Sequence, residues 1–156
     1  MADREGVAPY PDPLPVAVVD NHTHLDIRRR DVADAIAPEG GEQRSTDDVA
    51  AALASAASVG VDRVVQVGCD LESARFTVDQ VDRHPSMLGA VALHPNEIPA
   101  LAEAGRLQAA WDEIEALAAH PRVRAIGETG LDYFRTGPEG HAVQQESFRW
   151  HIDLAK

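Results

Sequence analysis

Apolar and polar positions fall into blocks of two periods along this chain. Residues 16–20 (VAVVD) are a continuous, largely β-branched run, which suits a strand buried on both faces. Val49, Leu53, Ala56 and Ala57 then recur at helical spacing behind the N-cap candidates Ser45, Thr46, Asp47 and Asp48, and Gly60 ends that element. Residues 61–67 predict a second strand, and residues 71–83 a helix closed by His84 and Pro85. Residues 87–93 predict a third strand. Leu107, Trp111, Ile114, Leu117 and Ala118 make one helical stripe closed by His120 and Pro121. Residues 123–127 predict a fourth strand. From about Pro138, Val143, Phe148, Ile152 and Ala155 again follow a helical period up to Lys156.

The order is βαβαβαβα, which predicts an α/β fold with a parallel sheet and right-handed crossovers. Residues 1–15 stand apart. Prolines at 9, 11, 13 and 15 forbid helix and remove ladder donors, so an extended, mobile arm is expected before the 16–156 unit.

The chain has 156 residues, 44% of them hydrophobic, which is one domain's worth of core. No apolar run reaches the roughly 18 residues of a membrane span. The start, Met1-Ala2-Asp3-Arg4-Glu5, lacks the basic-then-apolar pattern of an export signal. The single cysteine, Cys69, excludes an intrachain disulfide, and a reducing, cytoplasmic setting is expected. With 14 Lys+Arg against 26 Asp+Glu, the net charge is −12. Such a body repels polyanions at long range, so any phosphate chemistry needs a local device such as a metal or an arginine cluster.

Ligands of parallel α/β folds bind beyond the carboxyl ends of the strands. The residues there are Asp20, His22, His24 and Asp26 after the first strand, Asp70 after the second, His94 after the third, and Glu128 and Asp132 after the fourth. In extended chain, residues two apart point the same way, so His22 and His24 can reach one ion. With seven histidines in the chain, about 0.3 such pairs would arise by chance, so place matters more than pattern. Glu128, between Gly127 and Gly130, is a candidate bridge for divalent ions; alone it would equally suit a loop carboxylate. His94 could ligate, donate to a phosphate oxygen or move a proton, or simply sit in solvent. Arg28, Arg29 and Arg30 form the only basic triplet; they could steer a phosphodiester or line a solvated loop. Cys69 reads as a packed thiol, with metal ligation a minor option, and His84 and His120 follow helices on the opposite rim. No phosphate loop, nucleophile elbow or nucleotide fingerprint is present.

Together, DNHTHLD at 20–26, VGCD at 67–70, ALHPNE at 92–97, AIGETGLDYFR at 125–135 and QQESFRWHIDLA at 144–155 resemble the TatD family of metal-dependent deoxyribonucleases. The resemblance implies a TIM-like (β/α) barrel of which about four of eight units are present, a half barrel. It implies hydrolysis of DNA phosphodiester bonds with one or two divalent ions, Zn²⁺, Mn²⁺, Mg²⁺ or Ni²⁺. His22 and His24 match the first ligand pair, Glu128 the bridging carboxylate, taken as catalytic, and His94 the first histidine of the family's His-Pro-His segment at the site; His94 and Arg28 are the candidates for phosphate binding. Asn96 stands where the family has a second histidine, and His151 where it usually has glutamine. The family's later histidines and late aspartate have no counterpart here. The expected partners are a DNA or nucleotide phosphodiester and no membrane. The missing half of the barrel, or self-association, would cover exposed strand edges. Weak or absent activity is expected of the half barrel alone. The other readings are a lactone, amide or ester hydrolase of the same superfamily, or a non-catalytic metal-binding scaffold.

Overall fold

The computed structural model describes residues 11–27 and 46–156, with no side-chain detail for 46–48. Nine elements follow in the order β1 (Val18–Thr23), α1 (Thr46–Ser58), β2 (Val61–Gly68), α2 (Leu71–Arg83), β3 (Met87–Val91), α3 (Ile98–Glu103), α4 (Leu107–Ala118), β4 (Val123–Ile126) and α5 (Pro138–Leu154). The strands form one sheet in sequence order, β1-β2-β3-β4, and every pairing is parallel. Consecutive parallel strands joined by helices are the repeating unit of a (β/α) barrel.

Helices cover one side of the sheet, and the core is built there. Val49, Val64, Phe76, Val81 and Met87 join α1 and α2 to β2 and β3. Ala74, Val91, Leu93, Ile98, Ala110, Trp111, Ile114 and Val123 join α2, α3 and α4 to β3 and β4. Gly68 lets β2 and α2 approach closely: a Cβ there would lie 2.7 Å from the Ala74 Cα. Gly60 turns α1 into β2 at φ +95°, a conformation that favours glycine.

Three expectations need correction. The first strand is displaced toward His22 and is not buried on both faces; Val18 and Val19 are 38% and 46% exposed. It is the sheet's edge strand, and nothing among the described residues covers its outer neighbour position. The third strand ends at Val91, not at residue 93. Helix α3 escaped the periodicity because six residues complete less than two turns. Most of the expected N-terminal arm lies outside the described residues, but Leu14 N–H donates to the Val59 carbonyl at 3.0 Å and ties its end to the turn after α1. Among the described residues no helix is long and apolar enough to cross a membrane.

Candidate metal centre

The end of β1 carries both histidines. The parallel β1-β2 ladder becomes irregular between Asp20 and Thr23, and side chains replace ladder bonds beyond it. Thr23 Oγ1 donates to the Val65 carbonyl at 3.0 Å, and His24 Nδ1 lies 3.1 Å from the Val67 carbonyl. A carbonyl only accepts, so His24 Nδ1 carries the proton and Nε2 is a bare lone pair. At the next residue, Leu25 N–H donates to Gln66 Oε1 at 2.7 Å.

Glu128 arrives from the loop after β4, where the Gly127–Glu128 peptide is cis. His22, His24 and Glu128 each offer a ligand atom, and these atoms all lie within 4.8 Å of one another. The two Nε2 atoms are 3.2 Å apart, and Glu128 Oε2 is 3.4 Å from His22 Nε2 and 3.9 Å from His24 Nε2. Two nitrogens sharing one tetrahedral ion at about 2.0–2.1 Å would be separated by about 3.3–3.4 Å. The donor set therefore fits a divalent cation, with an imidazole and carboxylate chemistry that several metals accept.

His94 sits at the same rim, with Nε2 3.8 Å from Glu128 Oε1. Its tautomer is the reverse of that of His24. Asn96 N–H donates to His94 Nδ1 at 3.2 Å, so the neutral ring carries its proton on Nε2 and faces the site as a donor. Cys69, at the end of β2, also reaches in: Sγ lies 3.7 Å from Glu128 Oε2 and 4.0 Å from His24 Nδ1. Burial, reinforced by the Glu128 carboxylate, pushes this thiol up to about 12, so it stays protonated.

The other rim candidates are used elsewhere. Asp70 caps α2, accepting from Ser73 N–H at 2.7 Å in a reciprocal capping box. Asp132 accepts from Phe134 and Arg135 N–H groups and from the Arg135 guanidinium, which holds its carboxyl below the usual range. Asp20 accepts from the His22 N–H, and Asp26 from Gln66 Nε2. His120 pairs with Asp82 away from the site at 3.1 Å. Arg28, Arg29 and Arg30 lie outside the described residues.

Helix α5 supports the rim from behind. Buried Gln144 accepts from Asp132 N–H at 3.0 Å and donates to the Pro95 carbonyl and Thr136 Oγ1. Buried His151 accepts from Leu93 N–H through Nε2 at 3.1 Å and donates from Nδ1 to the Ser147 carbonyl at 2.8 Å. His151 thus serves the loop before His94 and does not face the ligand cluster. Sequence reading had no signal for Gln66 beyond one amide in the valine run of β2.

A sheet in this order, with two histidines and a carboxylate converging at its carboxyl rim, narrows the comparison to one family, and residues 19–156 match that family's model, TatD related DNase. The chain belongs to the TatD family. It is 42% identical to the uncharacterized metal-dependent hydrolase TatD of Mycobacterium tuberculosis, over 89% of this chain and 47% of that one. It is 30% identical to the uncharacterized metal-dependent hydrolase YabD of Bacillus subtilis, over 88% of this chain and 46% of the relative. The crystal structure of YJJV, a TatD homolog from Escherichia coli K12, shares the fold at a TM-score of 0.65 and 20% identity, covering 88% of this chain and 46% of that one. The chain therefore spans about half the length of the TatD relatives it matches, as expected of half a barrel.

Proposed function

We propose that this chain carries the first part of the metal site of a hydrolase that cleaves phosphodiester bonds, with DNA as the substrate class. The observation that carries this reading is the convergence of His22, His24 and Glu128. The Nε2 atoms of His22 and His24 and the carboxylate of Glu128 would hold the ion. When bound, a divalent ion there supplies Lewis acidity and a water acidified toward neutral pH. The protein's own groups do the rest. The Val67 carbonyl keeps the His24 lone pair aimed at the site. In this reading the His94 Nε2–H donates to an anionic phosphoryl oxygen, supported by its Nδ1 acceptor role and its nearness to Glu128.

Two strand edges and a groove of about 770 Å³ beside β4 support a further part of the same reading. Ala118, Val123, Ala125, Ile126 and Leu154 are among the residues lining the groove. Its proposed occupant is a fifth parallel strand with its helix, from the remaining half of the barrel that the longer relatives have room for.

The test is metal content and nuclease activity for the wild type and for His22→Ala, His24→Ala and Glu128→Ala, alone and mixed with the C-terminal half of a relative. Each variant should lose metal, and the mixture should cut DNA where the half barrel alone is weak or inactive. Equal metal content in all four proteins would refute the site. A mixture that cleaves a lactone panel but not DNA would refute the substrate.

A further inference from the structure

Strand β2 carries one side chain that its packing does not demand. Gln66 is completely buried in a stretch otherwise made of valines. A buried amide is costly unless its donor and its acceptor are both used. Here both are used, and both on the loop that leaves the metal site. Gln66 Oε1 accepts from Leu25 N–H at 2.7 Å, and Nε2 donates to Asp26 Oδ1 at 2.7 Å. Neither bond can be reversed, because the peptide only donates and the carboxylate only accepts, so the amide has one orientation.

The position matters as much as the bonds. Gln66 lies between Val65 and Val67, whose carbonyls take Thr23 Oγ1 and His24 Nδ1. Four consecutive residues, Thr23 to Asp26, are thus fastened to three consecutive residues of β2, starting where the regular ladder becomes irregular. The Leu25 side chain adds an apolar anchor against the cluster of Val49, Val64 and Phe76.

We propose that Gln66 is a positioning residue for the metal centre. By clamping Leu25 and Asp26, it fixes the chain just past His24 and holds that imidazole toward Glu128 without touching the ion. This rests on reading the His22, His24 and Glu128 cluster as a metal site. Groups bonded directly to a ligand typically change metal affinity by about 10- to 100-fold when removed, and Gln66, one bond further out, is expected at the lower end of that range.

The experiment is a cobalt(II) titration of the 156-residue chain, followed by calorimetry and by the visible absorption band. The proteins are the wild type, Gln66→Met, Gln66→Glu, Asp26→Ala, the double variant Q66E/D26N, and Ile114→Ala. Gln66→Met keeps the volume and removes both bonds. Gln66→Glu keeps an acceptor for Leu25 N–H but sets two carboxylates together. Asp26→Ala removes one arm without altering the core. In Q66E/D26N the polarity is exchanged: the carboxylate on β2 accepts from Leu25 N–H and from the new amide on the loop. Ile114→Ala loosens the distant core cluster and serves as the stability control.

Gln66→Met and Gln66→Glu should bind cobalt about 10-fold or more weakly, with an altered band. Asp26→Ala should show a smaller loss, Q66E/D26N should recover toward wild type, and Ile114→Ala should keep wild-type affinity. Wild-type binding by the Gln66 variants and Asp26→Ala, no recovery in Q66E/D26N, or an equal loss in Ile114→Ala would overturn the proposal. If Gln66→Met does not fold, the comparison of Asp26→Ala, Gln66→Glu and Q66E/D26N decides it. Failure of the wild type itself to bind cobalt would end the metal-site reading and this proposal together; a wild type that binds, with unaffected variants, ends only this proposal.

Discussion

Replacing His151 tests whether its imidazole is a neutral strut. The ring is 1% exposed, accepts from Leu93 N–H and donates to the Ser147 carbonyl, and stands edge-on to Trp150 with ring centroids 4.8 Å apart. A proton on Nε2 would turn the acceptor into a donor facing another donor. Burial accordingly lowers the pKa of His151 from its ordinary value. The sign follows from proton uptake. Above the unfolded value of about 6.5 neither state binds a proton at this site, and its contribution to stability is complete. As the pH falls below that value the unfolded chain takes up the proton first, so stability is lost. The loss has a slope of up to about 1.4 kcal/mol per pH unit until the folded-state pKa is reached. His151→Leu also strands the Leu93 N–H, at a cost of about 1–3 kcal/mol at neutral pH. In His151→Gln an amide oxygen can still accept that bond but cannot titrate. Urea unfolding, followed by Trp111 and Trp150 fluorescence between about pH 5 and 8, reads the difference between wild type and His151→Gln. The difference should be flat above about pH 6.5 and should move against the wild type below it. A flat difference across the whole range would refute the strut.

Two further substitutions test the frame around the site. Gly68→Ala should destabilise the protein by about 1–3 kcal/mol, read from the urea midpoint, because the new methyl would meet the α2 backbone at Ala74 and neither element can yield cheaply. Asp70→Ala should cost about 1 kcal/mol through the lost α2 cap and leave cobalt affinity unchanged; an affinity loss as large as that of His24→Ala would return Asp70 to the metal site.

The alternation of strands and helices was legible because the helices have strong stripes and proline stops. Leu107, Trp111 and Ile114 announced α4, and His84-Pro85 ended α2 within the residue. The first strand was misplaced because apolarity, the cue used for it, does not mark an exposed edge; its pairing residues include Asp20 and Thr23. The convergence of His22 and His24 followed from two-residue periodicity, but their approach to Glu128 is a product of sheet order, which no local pattern contains. Asp70 and Asp132 looked alike at the strand ends, and only their hydrogen-bond partners separate caps from candidate ligands. Gln66 was passed over because a lone amide in a valine-rich strand carries no motif, and Cys69, just after that strand, was read as a packed thiol without its contact to Glu128. What distinguishes them is the neighbours they reach, some 40 residues away for Gln66 and 59 for the thiol's contact with Glu128.

His24 and His94 stand at one rim with opposite protonation patterns, and in each case a main-chain group behind the ring makes the choice. Coordinating capacity here cannot be counted by residue type. An imidazole backed by a peptide oxygen offers electrons, and one backed by a peptide nitrogen offers hydrogen. Converting one kind into the other requires rebuilding the main chain behind the ring, a strand for His24 and a turn for His94, so metal stoichiometry and anion recognition can diverge among relatives whose histidines are identical.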